Sequence, residues 1–369
     1  MRVVHLAASG VSLARFVVPL LPQMASLGQT PILASGKQDS LEFDSMGWLV
    51  VQLSLDRGWR IPRGLVHAAV NTERLLEVHP DVVVVHTPAT AISARRSLEQ
   101  LKASGVRMVY VSRGSLHESE SYVTRTAWNA LNPVLWKLWD GIITVSENLE
   151  ESARRSAATR QIIKVSLSAA SPNVPRHILA SDRDSFEPGE TLRLGWVGRF
   201  DRDKRPGDMV KLIETLEEEF GLEVDVSMMG KATPGDRRPH IPSHPRIAVM
   251  GWVDYPCLTL GNCDLHIMTS VREGYALSPL EAAIMGTPTI AYSNTGTRES
   301  VPEVGGQLVA PRDVFGLAAQ VHHYSASKWH HKIEKRIEVR RLATDLMQES
   351  DPASEIVYFL DDICGAGRA

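Results

Sequence analysis

Short apolar runs alternate with longer amphipathic stretches along the chain, the pattern of strands separated by helices. Residues 3–6 begin a strand; Leu13, Phe16, Val17, Leu20 and Met24 then fall on one helical face, and residues 31–33 resume as strand. That is a βαβ unit. Further strands are expected at 82–85, 108–111 and 142–145, with helical patterns between them. Such continuous apolar runs suit a parallel sheet buried on both faces. The stretch SDRDSFEPGE, residues 181–190, breaks the rhythm with charges, proline and glycine and reads as a linker. After it Leu192, Leu194 and Trp196 mark a strand, and Met209, Leu212, Ile213, Leu216 and Phe220 a helix. Strands at 224–229, 247–250, 265–268 and 289–292 continue the alternation. The pattern predicts an α/β protein of two Rossmann-like domains, residues 1–185 and 186–350. A final helical segment, 351–369, carries apolar Ile356, Val357, Phe359 and Leu360.

Composition permits this architecture: 369 residues, 43% of them hydrophobic, are enough to bury two cores. A net charge of −3 gives no global basis for binding nucleic acid, so electrostatics must act locally. Cys257, Cys263 and Cys364 match no common zinc or redox spacing, which suits a reducing compartment. The opening MRVVHLAASG turns polar too soon for a signal peptide, and no apolar run reaches the eighteen or so residues a spanning helix needs. A cytoplasmic protein is expected, soluble or peripheral on the inner face of the membrane.

The densest chemistry lies in VREGYALSPLEAAIMGTPTI, residues 271–290. Glu273 and Glu281 lie eight residues apart, so a loop and the first turn of a helix can aim both carboxylates at sugar or ribose hydroxyls. A plainer reading makes Ser278, Pro279 and Glu281 the N-cap, N1 and N3 of a capping box, with Gly286 ending the helix and Pro288 opening a strand. A second segment, from Thr191, reads as strand, loop and helix, with Gly198, Arg199 and Lys204 in the loop. Arg199, Lys204 and the following helix N-terminus offer positive potential suited to a diphosphate, although two basic loop residues alone are also ordinary solvated charges. Two D-x-D strings, Asp182 with Asp184 and Asp201 with Asp203, sit in charged loops and read as chance, so no metal ligands are assigned. Gly10 follows the first strand, either to admit a close ligand or simply to start a helix. The surrounding ASGVSLAR lacks G-x-G-x-x-G, which counts against a nicotinamide or flavin enzyme.

Together, Gly198, Arg199 and Lys204, then Glu273, Gly274, Glu281 and Ala282, then Gly286 and Pro288 resemble the donor-binding domain of retaining GT-B glycosyltransferases, family 4. The family's pattern is G-R-x-x-x-x-K, then E-G-x-x-x-x-x-x-E-A, then A-x-G-x-P. Ile284 stands where the last motif usually has alanine. The resemblance implies a GT-B fold: two Rossmann-like domains facing across a cleft, with the C-terminal helix crossing back to the N-terminal domain. It also implies that Arg199 and Lys204 hold the nucleotide diphosphate, Glu281 the ribose, and Glu273 with Gly274 the transferred sugar. No cofactor or metal is implied; the nucleotide-diphosphate sugar is a co-substrate.

The first domain resembles relatives that extend surface polysaccharides or polyprenyl-diphosphate-linked sugars, through HPDVVVVHTPATA at 79–91, MVYVSRGSLHESES at 108–121 and GIITVSENLEESA at 141–153. Where such enzymes usually show histidine before glycine, this chain has Arg113 before Gly114; His117, four residues on, is a candidate substitute or a surface residue. His86, after four valines, either faces a ligand at a strand's carboxyl end or packs and caps the next element. SPNVPRHI, residues 171–178, departs from the usual asparagine followed by glycine at the hinge. In VTRTAWNALNPVLWKLW, residues 123–139, Trp128, Trp136 and Trp139 near Arg125 and Lys137 suit a membrane interface, while Leu131, Leu135 and Leu138 equally make a core stripe. The basic run 328–341 reads as a solvated helix laced with glutamate in preference to a lipid-binding face. The expected activity is transfer of a sugar from a UDP-sugar to a glycan or lipid-linked glycan. The rivals are an epimerase or hydrolase of the same fold and a non-catalytic nucleotide-sugar binder.

Overall fold

A computed structural model of the protein describes residues 1–8, 10–36, 47–55, 67–114, 126, 133, 135–156, 161–166, 191–232 and 241–365. The chain divides into two compact units: among the described residues, 1–166 and 350–365 form the first and 191–349 the second. The linker stretch 181–190, residues 171–178, His117, Arg125, Trp128, Leu131, Asp182 and Asp184 lie outside the described residues.

In the first unit, seven parallel strands are ordered β3-β2-β1-β4-β5-β6-β7. They are β1 (Arg2–Ala7), β2 (Thr30–Gly36), β3 (Val50–Leu53), β4 (Val82–Val85), β5 (Arg107–Ser112), β6 (Gly141–Thr144) and β7 (Ile162–Lys164). Central β4, four consecutive valines, is buried along its whole length, as a strand covered on both faces requires. The single amphipathic helix expected after β1 is instead α1 (Gly10–Phe16), a 3₁₀ turn (Val18–Leu20) and α2 (Leu21–Ser26). Pro19 and Pro22 explain the break, since each lacks the N–H that a continuous helix would use. Helices α3 (Ala68–Glu77), α4 (Pro88–Ser93), α5 (Arg95–Ala103) and α6 (Glu147–Ser156) complete the described crossovers. Thr87 caps α4, accepting a hydrogen bond from the Thr90 amide.

The second unit repeats the plan with strands ordered β10-β9-β8-β11-β12-β13. These are β8 (Leu192–Val197), β9 (Val224–Met229), β10 (Ile247–Gly251), β11 (Leu265–Met268), β12 (Thr289–Tyr292) and β13 (Gln307–Val309). Between and after them run α7 (Asp208–Phe220), α8 (Pro256–Gly261), α9 (Ser278–Ile284), α10 (Thr297–Glu303), α11 (Val314–Ala326) and α12 (Trp329–Glu349). The core gathers Trp196, Phe200, Met209, Leu212 and Tyr292 between sheet and helices. The last helix, α13 (Pro352–Gly365), belongs to the first unit. It packs so closely on β6 that a Cβ at Gly141 would fall 2.1 Å from Ile363 Cδ1. The Asp351 carboxylate, just before it, accepts a hydrogen bond from Gln23 Nε2 at 2.7 Å.

Candidate functional site

In the second unit β8 pairs with β9 on one side and β11 on the other, so the chain winds outward in both directions from β8. Loops that leave the carboxyl ends of such a strand pair flank a crevice, the usual ligand position of an open α/β sheet. The loops here are those carrying Arg199, Lys204 and Glu273. Trp196 Nε1 donates to Thr269 Oγ1 at 3.0 Å, and Thr269 Oγ1 donates to the Lys204 carbonyl at 2.8 Å. The Val271 amide donates to the Asp203 carbonyl at 2.9 Å. The backbone is thereby fixed before any charge is counted.

Upon this frame Lys204 Nζ forms an ion pair with Glu273 Oε1, the two side chains being 18% and 13% exposed. Arg272 pairs with Asp203, and Arg199 with Asp201 at 3.1 Å. Both carboxylates of the D-x-D string are thus taken up by arginines. Arg199 keeps 56% of its side chain exposed, so it can turn toward an incoming anion. Arg205, next to Lys204, is held at φ +47 and donates to both Asp208 oxygens, at 2.7 and 3.1 Å. A non-glycine residue in that region needs such external support.

Close backbone approaches shape the same place. A Cβ at Gly230, φ +150, would lie 1.7 Å from the Gly198 carbonyl oxygen, so the β8 and β9 loops touch through glycine alone. Gly296 abuts Glu273, with 2.8 Å from an ideal Cβ to the Glu273 backbone and Cβ. Buried Asn294 holds Gly296 there: its Oδ1 accepts from the Gly296 and Thr297 amides at 3.0 and 3.1 Å, and its Nδ2 donates to the Ser270 carbonyl at 2.8 Å. Sequence reasoning missed Asn294 and Gly296. The signal available was N-T-G-T directly after a strand, a turn composition whose partner loop lies more than twenty residues away.

Glu281 lies in the first turn of α9, as expected from the sequence, and is fully buried. The capping-box reading requires correction: α9 begins at Ser278, its N-cap is Leu277, and no side chain of that N-cap residue bonds the first turn. The Ser278 hydroxyl donates instead to Met268 Sδ at 3.6 Å. Gly274 is buried between the two glutamates. At the other end Gly286 takes φ +76 and stops the helix as read from the sequence. Arg336 of α12 ties this end down, donating to the carbonyls of Gly261, Cys263 and Met285 at 3.1, 3.0 and 3.3 Å. The basic run is therefore not wholly a solvated face. Replacing Arg336 with methionine strips one buried and two partly buried carbonyls of this donor, and we expect a loss of about 2–4 kcal/mol, read by urea unfolding.

The first unit has its own switch point, between β2 and β4 on either side of β1. There His86, just past β4, and Arg113, just past β5, meet His5 of β1. Arg113 Nη2 donates to His86 Nδ1 at 3.3 Å. That makes Nε2 the protonated nitrogen of a neutral His86, donating to His5 Nδ1 at 3.1 Å. Burial first, and the Arg113 charge second, push His5 down to about 3 and His86 well below its ordinary value. Both rings are neutral near pH 7. The guanidinium of Arg113 stacks 4.1 Å from the Phe16 ring centroid. His86 thus packs against its neighbours, and Arg113 is joined to it. Gly10 is the buried first residue of α1. Trp136 and Trp139 are buried against Tyr110, Trp139 stacked at 5.2 Å, so for these two the membrane-interface reading gives way to the core reading.

Residues 191–326 match the family model described as Glycosyl transferases group 1. Lipopolysaccharide 1,6-galactosyltransferase of Escherichia coli K12 is 31% identical over 160 residues, which are 40% of this chain and 44% of that protein. The chain therefore spans less than half the length of this relative. Among solved structures, sucrose-phosphate synthase from Thermosynechococcus elongatus superposes with a TM-score of 0.74 at 17% identity, over 98% of both chains. HepE of Anabaena, in complex with UDP and glucose, superposes with a TM-score of 0.69 at 16% identity, over 99% of this chain and 100% of that one. Two parallel-sheet Rossmann-like units and these neighbours establish the fold as GT-B.

Proposed function

We propose that the protein is a retaining glycosyltransferase that moves a sugar from a nucleotide-diphosphate donor, a UDP-sugar, to a growing glycan. A surface polysaccharide or lipid-linked oligosaccharide is the product this reading favours. The observation that carries it is the Lys204–Glu273 pair at the switch point of the second unit, with Arg199 exposed beside it. Breaking an anomeric bond to a diphosphate leaves negative charge on the leaving group, and fixed cations stabilise it as it forms. Arg199 and Lys204 are assigned that role. Glu273, its position set by Gly296, is assigned the sugar hydroxyls together with the backbone at Gly274. Glu281, immobilised inside α9, is assigned the ribose. The HepE neighbour holding UDP and glucose supports a UDP-sugar as the donor.

Calorimetric titration with UDP-, GDP- and ADP-sugars tests this on the wild type, Glu281→Ala and Arg199→Ala. Selective UDP-sugar binding, weakened about tenfold or more in both variants, is expected from the loss of charge-assisted contacts. Absence of binding to every donor would overturn the reading. Binding with slow hydrolysis or epimerisation, and no transfer across a panel of glycan acceptors, would move it to one of its rivals.

A further inference from the structure

Among the described residues, Arg113 meets no carboxylate. Its Nε and Nη1 atoms are shielded from solvent and have no hydrogen-bond partner among the described residues, while Nη2 reaches only a neutral histidine. With His5 and His86, Arg113 lines an otherwise apolar cavity of about 20 Å³, walled by Phe16, Val84 and Ile356, with room for one oxygen-sized group. Burial lowers Arg113 only to about 9, so it stays positive at neutral pH. A charge held away from water is costly unless an opposite charge arrives to meet it.

We propose that Arg113 binds an oxyanion on the molecule that the first unit takes, so that the acceptor is an anionic sugar or glycan bearing a phosphate or a carboxylate. This deepens the glycosyltransferase reading and rests on it for the word acceptor; the anion site itself does not. The position is chemically apt. It lies at the carboxyl ends of β1, β4 and β5, the face of a parallel sheet that receives ligands. The neutral histidine pair adds one N–H donor without adding charge: once His86 Nε2 donates to His5 Nδ1, the proton of neutral His5 sits on Nε2, which has no partner among the described residues. Two kinds of buried donor, the Arg113 guanidinium and the His5 Nε2–H, therefore border one small space, and no carboxylate contributes to the field at His5, His86 or Arg113 among the described residues.

The test is calorimetric titration of the full chain with inorganic phosphate and, separately, with glucuronate. The protein carries Arg199→Ala and Lys204→Ala so that the second unit contributes no anion site. Binding of one or both probes is expected, and the stronger of the two identifies the source of the oxyanion. Adding Arg113→Met should weaken it about tenfold or more, with Arg113→Lys in between. Without probe, Arg113→Met should raise the Tm, because it removes an uncompensated charge; a purely structural Arg113 would lower it. Unchanged affinity in Arg113→Met, or no binding of either probe to the double variant, would overturn the proposal. A parallel UDP titration on the wild type keeps failure of the donor reading separate.

Discussion

Lys204→Ala is expected to lower kcat/KM for sugar transfer by a factor of about 10²–10³, the usual consequence of removing one preorganised donor at a developing charge. The fold should survive the change, since Thr269 reaches the Lys204 carbonyl and Val271 the Asp203 carbonyl, both through backbone atoms that alanine retains. The accompanying variant Glu273→Gln separates the two halves of the pair. Glu273 neutralises Lys204 in the structure, and any diphosphate approaching Lys204 must also approach that carboxylate. Removing its charge should therefore tighten UDP itself about fivefold, a partly screened interaction of about 1 kcal/mol. The same change should erase the advantage of UDP-sugar over UDP, because the group assigned to the sugar is gone. Titration with UDP and with the preferred UDP-sugar reads both effects. Equal loss of both ligands in Glu273→Gln would assign the carboxylate to holding the lysine and not the sugar.

The logic of that site was partly written in the chain and partly not. Strands β4, β11 and β12 fall at the residues their apolar runs indicate, because a strand covered on both faces must be apolar almost throughout. Short β3, β7 and β13 escaped notice: three or four residues at or near a sheet edge carry too little periodicity to stand out. Lys204 and Glu273 were legible as one site through their motifs, although their separation of 69 positions gives no local sign that they touch. Their meeting depends on β8 and β11 being neighbours, a fact of topology. His5 was illegible for the opposite reason. It sits inside an apolar strand, where one polar residue reads as an exception until β4 lies alongside and His86 faces it. Glu281 pointed two ways until the helix boundary was known, for a start one residue earlier is enough to remove Ser278 from the cap position.

Gly230→Ala is expected to be the most damaging single methyl group in the second unit. Two costs coincide there. Alanine must adopt φ +150, a region of the backbone map essentially reserved for glycine. Its Cβ must also occupy a point 1.7 Å from the Gly198 carbonyl oxygen, and that obstacle is backbone, which cannot swing aside as a side-chain end can. Gly198 is in turn held by its amide's bond to the Met229 carbonyl at 3.0 Å, so relief requires the β8 and β9 loops to separate. We expect a loss of about 3 kcal/mol or more, from strain of this kind together with the broken loop contact. Donor affinity should fall with it, because Arg199 follows Gly198 directly in the displaced loop. Gly207→Ala is the matched control: the same loop, φ −65, and nothing within 4 Å of the added methyl. It should leave stability within about 0.5 kcal/mol and donor binding unchanged, as surface substitutions usually do. Urea unfolding of both variants, with and without the preferred UDP-sugar, measures the strain and its reach into the site. Equal stability of the two alanine variants would mean that the Gly198–Gly230 contact is loose, and that the diphosphate loop is positioned by its hydrogen bonds to residues 269–271 alone.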